Sequence, residues 1–236
     1  MLSRTAAVAA LLVAAGCSDG GGSTKDASPD TPPDMASVCG ADLFFTGEIV
    51  DWDSNGDCGV ADAEVTVRGQ PAQTDKSNFN GRFEVCVPHQ AQTVVDVTQS
   101  VNASRCAMVG GAYPIRGVFI AQQAVIALNE LSFSARAMTQ ARQDAMFSQI
   151  GEAYNPASAQ LVVHVAGTPR QVSITKSHAT TQRYDGAVWA EGDTGSYVFF
   201  PNVTPGATTI SAVGAVGTGT VTLEYSAYTY VTLIAN

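Results

Sequence analysis

The sequence predicts an all-β fold: two small antiparallel β-sandwich modules joined by a short α-helix. Three observations carry that expectation. Short apolar runs alternate with polar residues and are bounded by Gly, Pro, Asn or Asp, the pattern of half-buried strands. Only 14% of the 236 residues are charged, and small and β-branched residues dominate. Past residue 38 stand four cysteines, Cys39, Cys58, Cys86 and Cys106, as suits an exported body held by two disulfides.

The chain opens MLSRTAAVAALLVAAGC. Arg4 supplies a positive start, and Thr5 to Ala15 form an apolar run too short to span a bilayer, as in a signal peptide. Val13-Ala14-Ala15-Gly16-Cys17 resembles the lipobox of bacterial lipoproteins, with Ala14 where that family usually has Leu. The resemblance implies that residues 1–16 are removed and that Cys17 is lipidated. Such an anchor contributes roughly 0.8 kcal/mol per buried methylene and holds a chain firmly to a membrane. Ser18, in place of the Asp that enteric bacteria read as an inner-membrane signal, implies the outer membrane of the cell envelope. Residues 17–38 are Gly, Ser, Pro and Asp with almost no bulky apolar side chains. They cannot bury a core and read as a flexible tether.

Formal net charge is −9, and loss of Arg4 with the leader makes the mature chain more acidic still. A body of this sign is a poor partner for nucleic acid or for an anionic membrane surface. The anchor is therefore the expected membrane contact, and other envelope proteins or glycans are the expected partners.

The first module is placed at 39–130. Its strand-like runs are Phe45–Val50, Ala63–Arg68, Arg82–Val87, Thr93–Thr98, Ile115–Ile120 and Gln123–Leu128. Asn80-Gly81 lies just before the third run and suits a tight turn with positive φ. The spacing suggests antiparallel meanders or Greek keys. The order G-E-I-V-D, then A-D-A-E-V-T-V-R, then T-D-K-S-N-F-N-G-R-F-E-V-C-V-P resembles the carboxypeptidase regulatory-like domain, matched at Ala63-Glu64-Val65, Thr74, Asp75, Asn80-Gly81 and Phe83. That resemblance implies a transthyretin-like, Ig-like sandwich without catalytic residues of its own. The Thr74–Phe83 stretch is longer than is usual in the family.

Four cysteines allow three pairings. In Arg82–Val87 the residues Phe83, Val85 and Val87 share one face and Cys86 lies on the other. This favours Cys58–Cys86, with Cys39–Cys106 tying the ends of the module.

Residues 131–156 read as a connector holding a helix at 134–150. Ser134 is a candidate N-cap, with Phe133 and Met138 at the positions of a hydrophobic staple and Gly151 just past the end. Met138, Ala141, Ala145 and Met146 form its apolar stripe. The second module, 157–236, has runs at Gln160–Val165, Arg170–Thr175, Gly186–Ala190, Tyr197–Phe200, Thr208–Val213, Thr218–Tyr225 and Tyr228–Ile234. Phe199-Phe200-Pro201-Asn202-Val203-Thr204-Pro205-Gly206 resembles the F-x-N-V-P-P-G turn of collagen-adhesin B-type repeats, which implies a diverged module of the same superfamily.

Three features bear on chemistry. Asp51-Trp52-Asp53-Ser54-Asn55-Gly56-Asp57 through Asp62 fits D-x-D-x-N-G-x5-D, an EF-hand-like calcium spacing. Asp51, Asp53, Asn55 and Asp62 would ligate by side chain and Asp57 by its carbonyl, while Gly56 permits the sharp turn. A solvated acidic turn is the plainer alternative. Trp189 with Tyr184, Tyr197, Tyr225, Tyr228 and Tyr230 would suit a carbohydrate platform, or cross-strand packing in a sandwich. No nucleophile elbow, zinc-protease motif or phosphate loop is present, and His89, His164 and His178 are scattered. The expectation is a non-enzymatic, lipid-anchored scaffold or adhesion unit. A carbohydrate-binding envelope module and an accessory subunit of an exported hydrolase are the alternatives.

Overall fold

The computed structural model describes residues 39–51, 58–98, 116–128, 133–137, 139–184, 186 and 188–236. The described residues lie in one compact unit. In chain order the first half contains β1 (Leu43–Asp51), β2 (Glu64–Val67), β3 (Thr74–Lys76), β4 (Arg82–Val87), β5 (Gln92–Thr98), β6 (Arg116–Gln122), helix α1 (Gln123–Ala127), β7 (Phe133–Ala137) and helix α2 (Gln140–Gln149). The second half contains β8 (Ala159–Gly167), β9 (Arg170–Ile174), β10 (Gln182–Tyr184), β11 (Trp189–Glu191), β12 (Thr194–Gly195), β13 (Tyr197–Val203), β14 (Gly206–Ala212), β15 (Ala215–Val216), β16 (Gly219–Leu223) and β17 (Ala227–Ala235). The protein is all-β, as predicted.

The strands form three stacked layers. A central sheet runs β11-β10-β13-β8-β17-β6-β5-β2-β3, with β15 added on β17. On one face lies the sheet β4-β1-β7 with both helices, and on the other the sheet β12-β9-β14-β16. Alternation along the central strands feeds both interfaces. Tyr228, Tyr230 and Ile234 of β17 enter the first core, whereas Ala227, Val231, Leu233 and Ala235 enter the second. All of β17 is consequently buried, and its sequence AYTYVTLIA shows little apolar–polar alternation because both faces are covered.

That strand also joins the halves. β17 pairs in parallel with β8 (Thr232↔His164) and with β6 (Tyr230↔Phe119). The expected segments 39–130 and 157–236 therefore share one sheet, and the expected all-antiparallel pattern is replaced by a mixed one. A parallel partner must come from far along the chain, so local spacing carries no trace of it.

Two elements differ in type. Gln123–Leu128 was expected as a strand; here Gln123–Ala127 is a helix burying Val125 and Ile126. The expected helix 134–150 begins as strand β7, parallel to β1 with Gly47↔Phe133 and Ile49↔Ala135. Phe133, Ala135 and Ala137 are buried with period two, and the Phe133 ring lies 4.3 Å from that of Phe45. Pairing with the β1 edge outweighs the helix tendency of Ser-Ala-Arg-Ala. Thr139, not Ser134, is the N-cap, accepting the Arg142 N–H at 3.2 Å. At the other end Gly151 has φ +72°, with Glu152 N–H donating to Phe147 and Gly151 N–H to Ser148, a Schellman motif. The buried face of α2 is Gln143, Met146 and Phe147, rather than the expected stripe through Ala141 and Ala145.

The expected disulfide pairing is also corrected. Cys39 bonds Cys86, with Cα atoms 5.4 Å apart, and Cys58 is disulfide-bonded too. Register gives the reason. Phe44↔Cys86 sets Cys86 near the start of β1, whereas Asp51, at its end, donates its N–H to the Cys58 carbonyl. Seven residues of strand separate those points, about 23 Å, far beyond the roughly 7 Å that a disulfide tolerates between Cα atoms. The turn at Cys39–Asp42 instead delivers Cys39 to Cys86.

Candidate functional site

Of the acidic loop, Asp51 and Asp62 lie among the described residues, while Asp53, Asn55 and Asp57 lie outside them, as do Cys17 and Cys106. Asp51 is buried at the end of β1, and its N–H donates to Cys58 at 2.7 Å. Asp62 is exposed, at φ +59°, on the turn into β2. Nearby, Ser77 is buried and latches this turn: its hydroxyl donates to the Val60 carbonyl at 2.7 Å and accepts the Ala63 N–H at 2.9 Å. Asp75 of the T-D motif accepts the Glu84 N–H at 2.7 Å, tying β3 to β4. Among the described residues no three His, Cys, Asp or Glu side chains gather as a metal site.

The aromatic residues divide. Tyr228 and Tyr230 are buried, their hydroxyls donating to Gln143 and to the Arg136 carbonyl, and burial pushes both phenols to higher pKa. Tyr225 is 70% exposed in the turn between β16 and β17. Trp189, Tyr184 and Tyr197 instead fall side by side at paired register positions across β11, β10 and β13, and the row continues to His164 on β8. Arg136 of β7 lies 5.5 Å from the centre of the Tyr184 ring and 4.7 Å from that of Tyr197, and His164 stacks on Tyr197 at 4.5 Å. The rings are thus engaged by one another and by a guanidinium, which is the packing alternative. Arg136 carries no local signal for this role. Ser-Ala-Arg-Ala has a helix pattern in sequence, and only its pairing with β1 as strand β7 brings the guanidinium to these rings.

Four charges close a ring over β2, β5, β6 and the β16–β17 turn. Asp96 accepts Arg68 at 2.6 Å and Arg116 at 2.7 Å; Glu224 accepts Arg116 at 2.8 Å and also Arg68. Burial raises the Asp96 pKa, but the hydrogen bonds and charges of the two arginines together bring it below the ordinary carboxylate value. With the signs alternating, the ring ties the C-terminal half to the N-terminal one. It is a staple.

The open concavity lies on the outer face of β9-β14-β16, a groove of about 440 Å³. Alternation builds it: Val172, Ile210 and Val221 point into the second core, leaving Gln171, Ser173, Thr209 and Ser211 to line the outside, with Thr220 beside them. Thr209 and Thr220 share a hydroxyl–hydroxyl hydrogen bond of 3.2 Å, and the Thr209 N–H donates to Thr175 at 3.0 Å. The groove exists because the β14–β16 ladder stops at Ile210↔Gly219. Beyond it the chain leaves this sheet to lay β15 against Ile234 and Ala235 of β17, then returns through Gly217 and Thr218. Gly217 has φ +97°, and a Cβ there would sit 2.6 Å from Val125 and 2.9 Å from the Thr232 carbonyl, so only glycine fits this crossing. Val213, 91% exposed, stands at the rim.

No protein-family pattern matches the chain, and neither does any curated protein sequence. Among solved structures, the shaft pilin SpaA from Lactobacillus rhamnosus GG aligns over 83% of this chain and 98% of its own, at 8% identity and a TM-score of 0.26. A Streptococcal ancillary pilin aligns over 82% of this chain and 68% of its own, at 9% identity and a TM-score of 0.24.

Proposed function

We propose that this chain is a non-enzymatic, lipid-anchored module of the cell envelope that works by binding, as a scaffold or adhesion unit. The supporting observation is the groove. Its lining consists of hydroxyls, an amide and small apolar groups, without carboxylate, imidazole, thiol or amine. Such a surface holds a partner by hydrogen bonds but offers no group that exchanges a proton near neutral pH. The lipobox-like residues through Cys17 and the tether that follows them supply the anchor in this reading. A calcium ion held by Asp51, Asp53, Asn55, Asp57 and Asp62 would act as a staple for the first turns of the fold; a melting temperature unchanged by millimolar calcium removes it from the proposal.

Cell fractionation of the Cys17→Ser chain tests the anchor. The parent is expected with outer membranes and the variant in the soluble fraction. Equal membrane retention of both would overturn the proposal.

A further inference from the structure

We infer that the groove on β9-β14-β16 is a binding site for a neutral oligosaccharide presented as part of a longer polymer. The inference rests on reading the chain as an envelope binding module and names the ligand class of that same groove.

The chemistry of the lining favours it. Each Ser or Thr hydroxyl both donates and accepts, and the Gln171 amide does the same through separate atoms. A sugar presents the same mixed hydroxyls in return. No lining residue carries a formal charge. The neighbouring Asp193 carboxylate accepts the Gln171 amide at 2.8 Å and repels an anionic ligand. The whole chain is acidic, with a net charge of −9, which repels acidic polymers at long range. Val213, 91% exposed at the rim, adds an apolar group, a match for the C–H face of a sugar ring.

Geometry favours a polymer. The hydroxyls stand on a paired sheet, with Ser211 beside Ser173 and Thr209 beside Thr220, so little ordering remains to be done on binding. The volume of about 440 Å³ falls within the range of small-ligand sites. It is open to solvent rather than enclosed, so a bound sugar can continue into a longer chain.

The rival occupant is an extended peptide pairing with the β14 backbone beyond Ile210. Valine substitution separates the two, because it removes hydroxyls and leaves backbone and volume. The full chain in a non-glycosidic detergent is passed over immobilised neutral hexose and N-acetylhexosamine oligomers, uronic-acid oligomers and an extended Thr/Val peptide. The parent is expected to retain neutral oligomers, and Thr209→Val/Thr220→Val to bind them about ten-fold more weakly or worse with an unchanged melting temperature. If that pair lowers the melting temperature, Gln171→Leu, at an exposed position, replaces it with the same expected direction.

No retention of neutral oligomers at millimolar concentration, stronger retention of uronic acids, or equal binding by parent and variants would each overturn the inference. So would peptide capture that survives the valines in place of glycan. Fractionation of Cys17→Ser keeps the two readings apart. Anchoring without glycan binding defeats the ligand alone, whereas loss of anchoring in the parent defeats the wider proposal.

Discussion

Removing the Cys39–Cys86 bridge tests both the corrected pairing and the account of what holds the first half together. The bridge closes a loop with a sequence separation of 47 residues. Release of that loop in the unfolded chain is expected to cost about 4 kcal/mol on the chain-entropy relation. For a body of this size that corresponds to a fall in melting temperature of about 10 °C. Cys39→Ala/Cys86→Ala is the informative variant, since it leaves Cys58 in its own bridge. The assays are urea unfolding of parent and variant, and non-reducing peptide mapping of the parent. We expect a linked peptide pair containing Cys39 and Cys86. A linked pair containing Cys58 and Cys86 would refute the register argument. A stability loss below about 1 kcal/mol would instead refute the loop-entropy reasoning.

Other expectations concern single side chains. Glu224→Gln opens the four-charge ring and should cost about 1 kcal/mol, less at high salt, because the groups are partly exposed. The pH dependence follows from Asp96, whose folded pKa lies below its unfolded one. The ring's contribution is thus intact above about pH 4 and is lost as pH falls through the folded value. Acid titration of unfolding should show that loss in the parent, and Asp96→Asn should remove it. Gly81→Ala places a Cβ 2.1 Å from the Ile49 carbonyl at φ +78°, and should cost more than about 1 kcal/mol. Gly151→Ala, at φ +72° with open space around it, should cost about 1 kcal/mol; equal losses would show that the close approach at Gly81 is unimportant. Asn202→Ala removes a side chain that accepts from Asn155 and Gln160 and donates to Ala153, at a residue with φ +53°. A loss of about 2–3 kcal/mol in chemical denaturation is expected, and a loss under about 0.5 kcal/mol would contradict the role assigned to that turn.

Much of the local structure was legible from short stretches. Arg82–Val87 alternates and forms β4 over those same residues, with its apolar members buried. Asn80-Gly81 makes a turn with φ +78° at Gly81, and Gly151 closes α2. The F-P-N-V turn was visible as a motif, and the structure supplies its cause. Asn202 sits at the register shift between Phe200 and Val203 and satisfies the loop that precedes β8. The candidate site was less legible. Thr209, Ser211 and Thr220 are ordinary strand residues in sequence, and nothing local says that β16 will part from β14 beside them.

Short-range sequence pattern carries the all-β class, most strand positions, the turn residues and the alternation that separates inner from outer side chains. These depend on neighbours within a few residues, where backbone sterics and period-two burial act directly. The tertiary structure alone decided that Phe133–Ala137 is a strand, that Cys39 meets Cys86, that one sheet carries both halves, and that a groove opens on its outer neighbour. Each depends on which distant edge a segment finds. β7 takes the free edge of β1, β17 inserts between β6 and β8, and β15 leaves its own sheet for β17. Pairing energy across such contacts exceeds the small local preferences that a sequence displays.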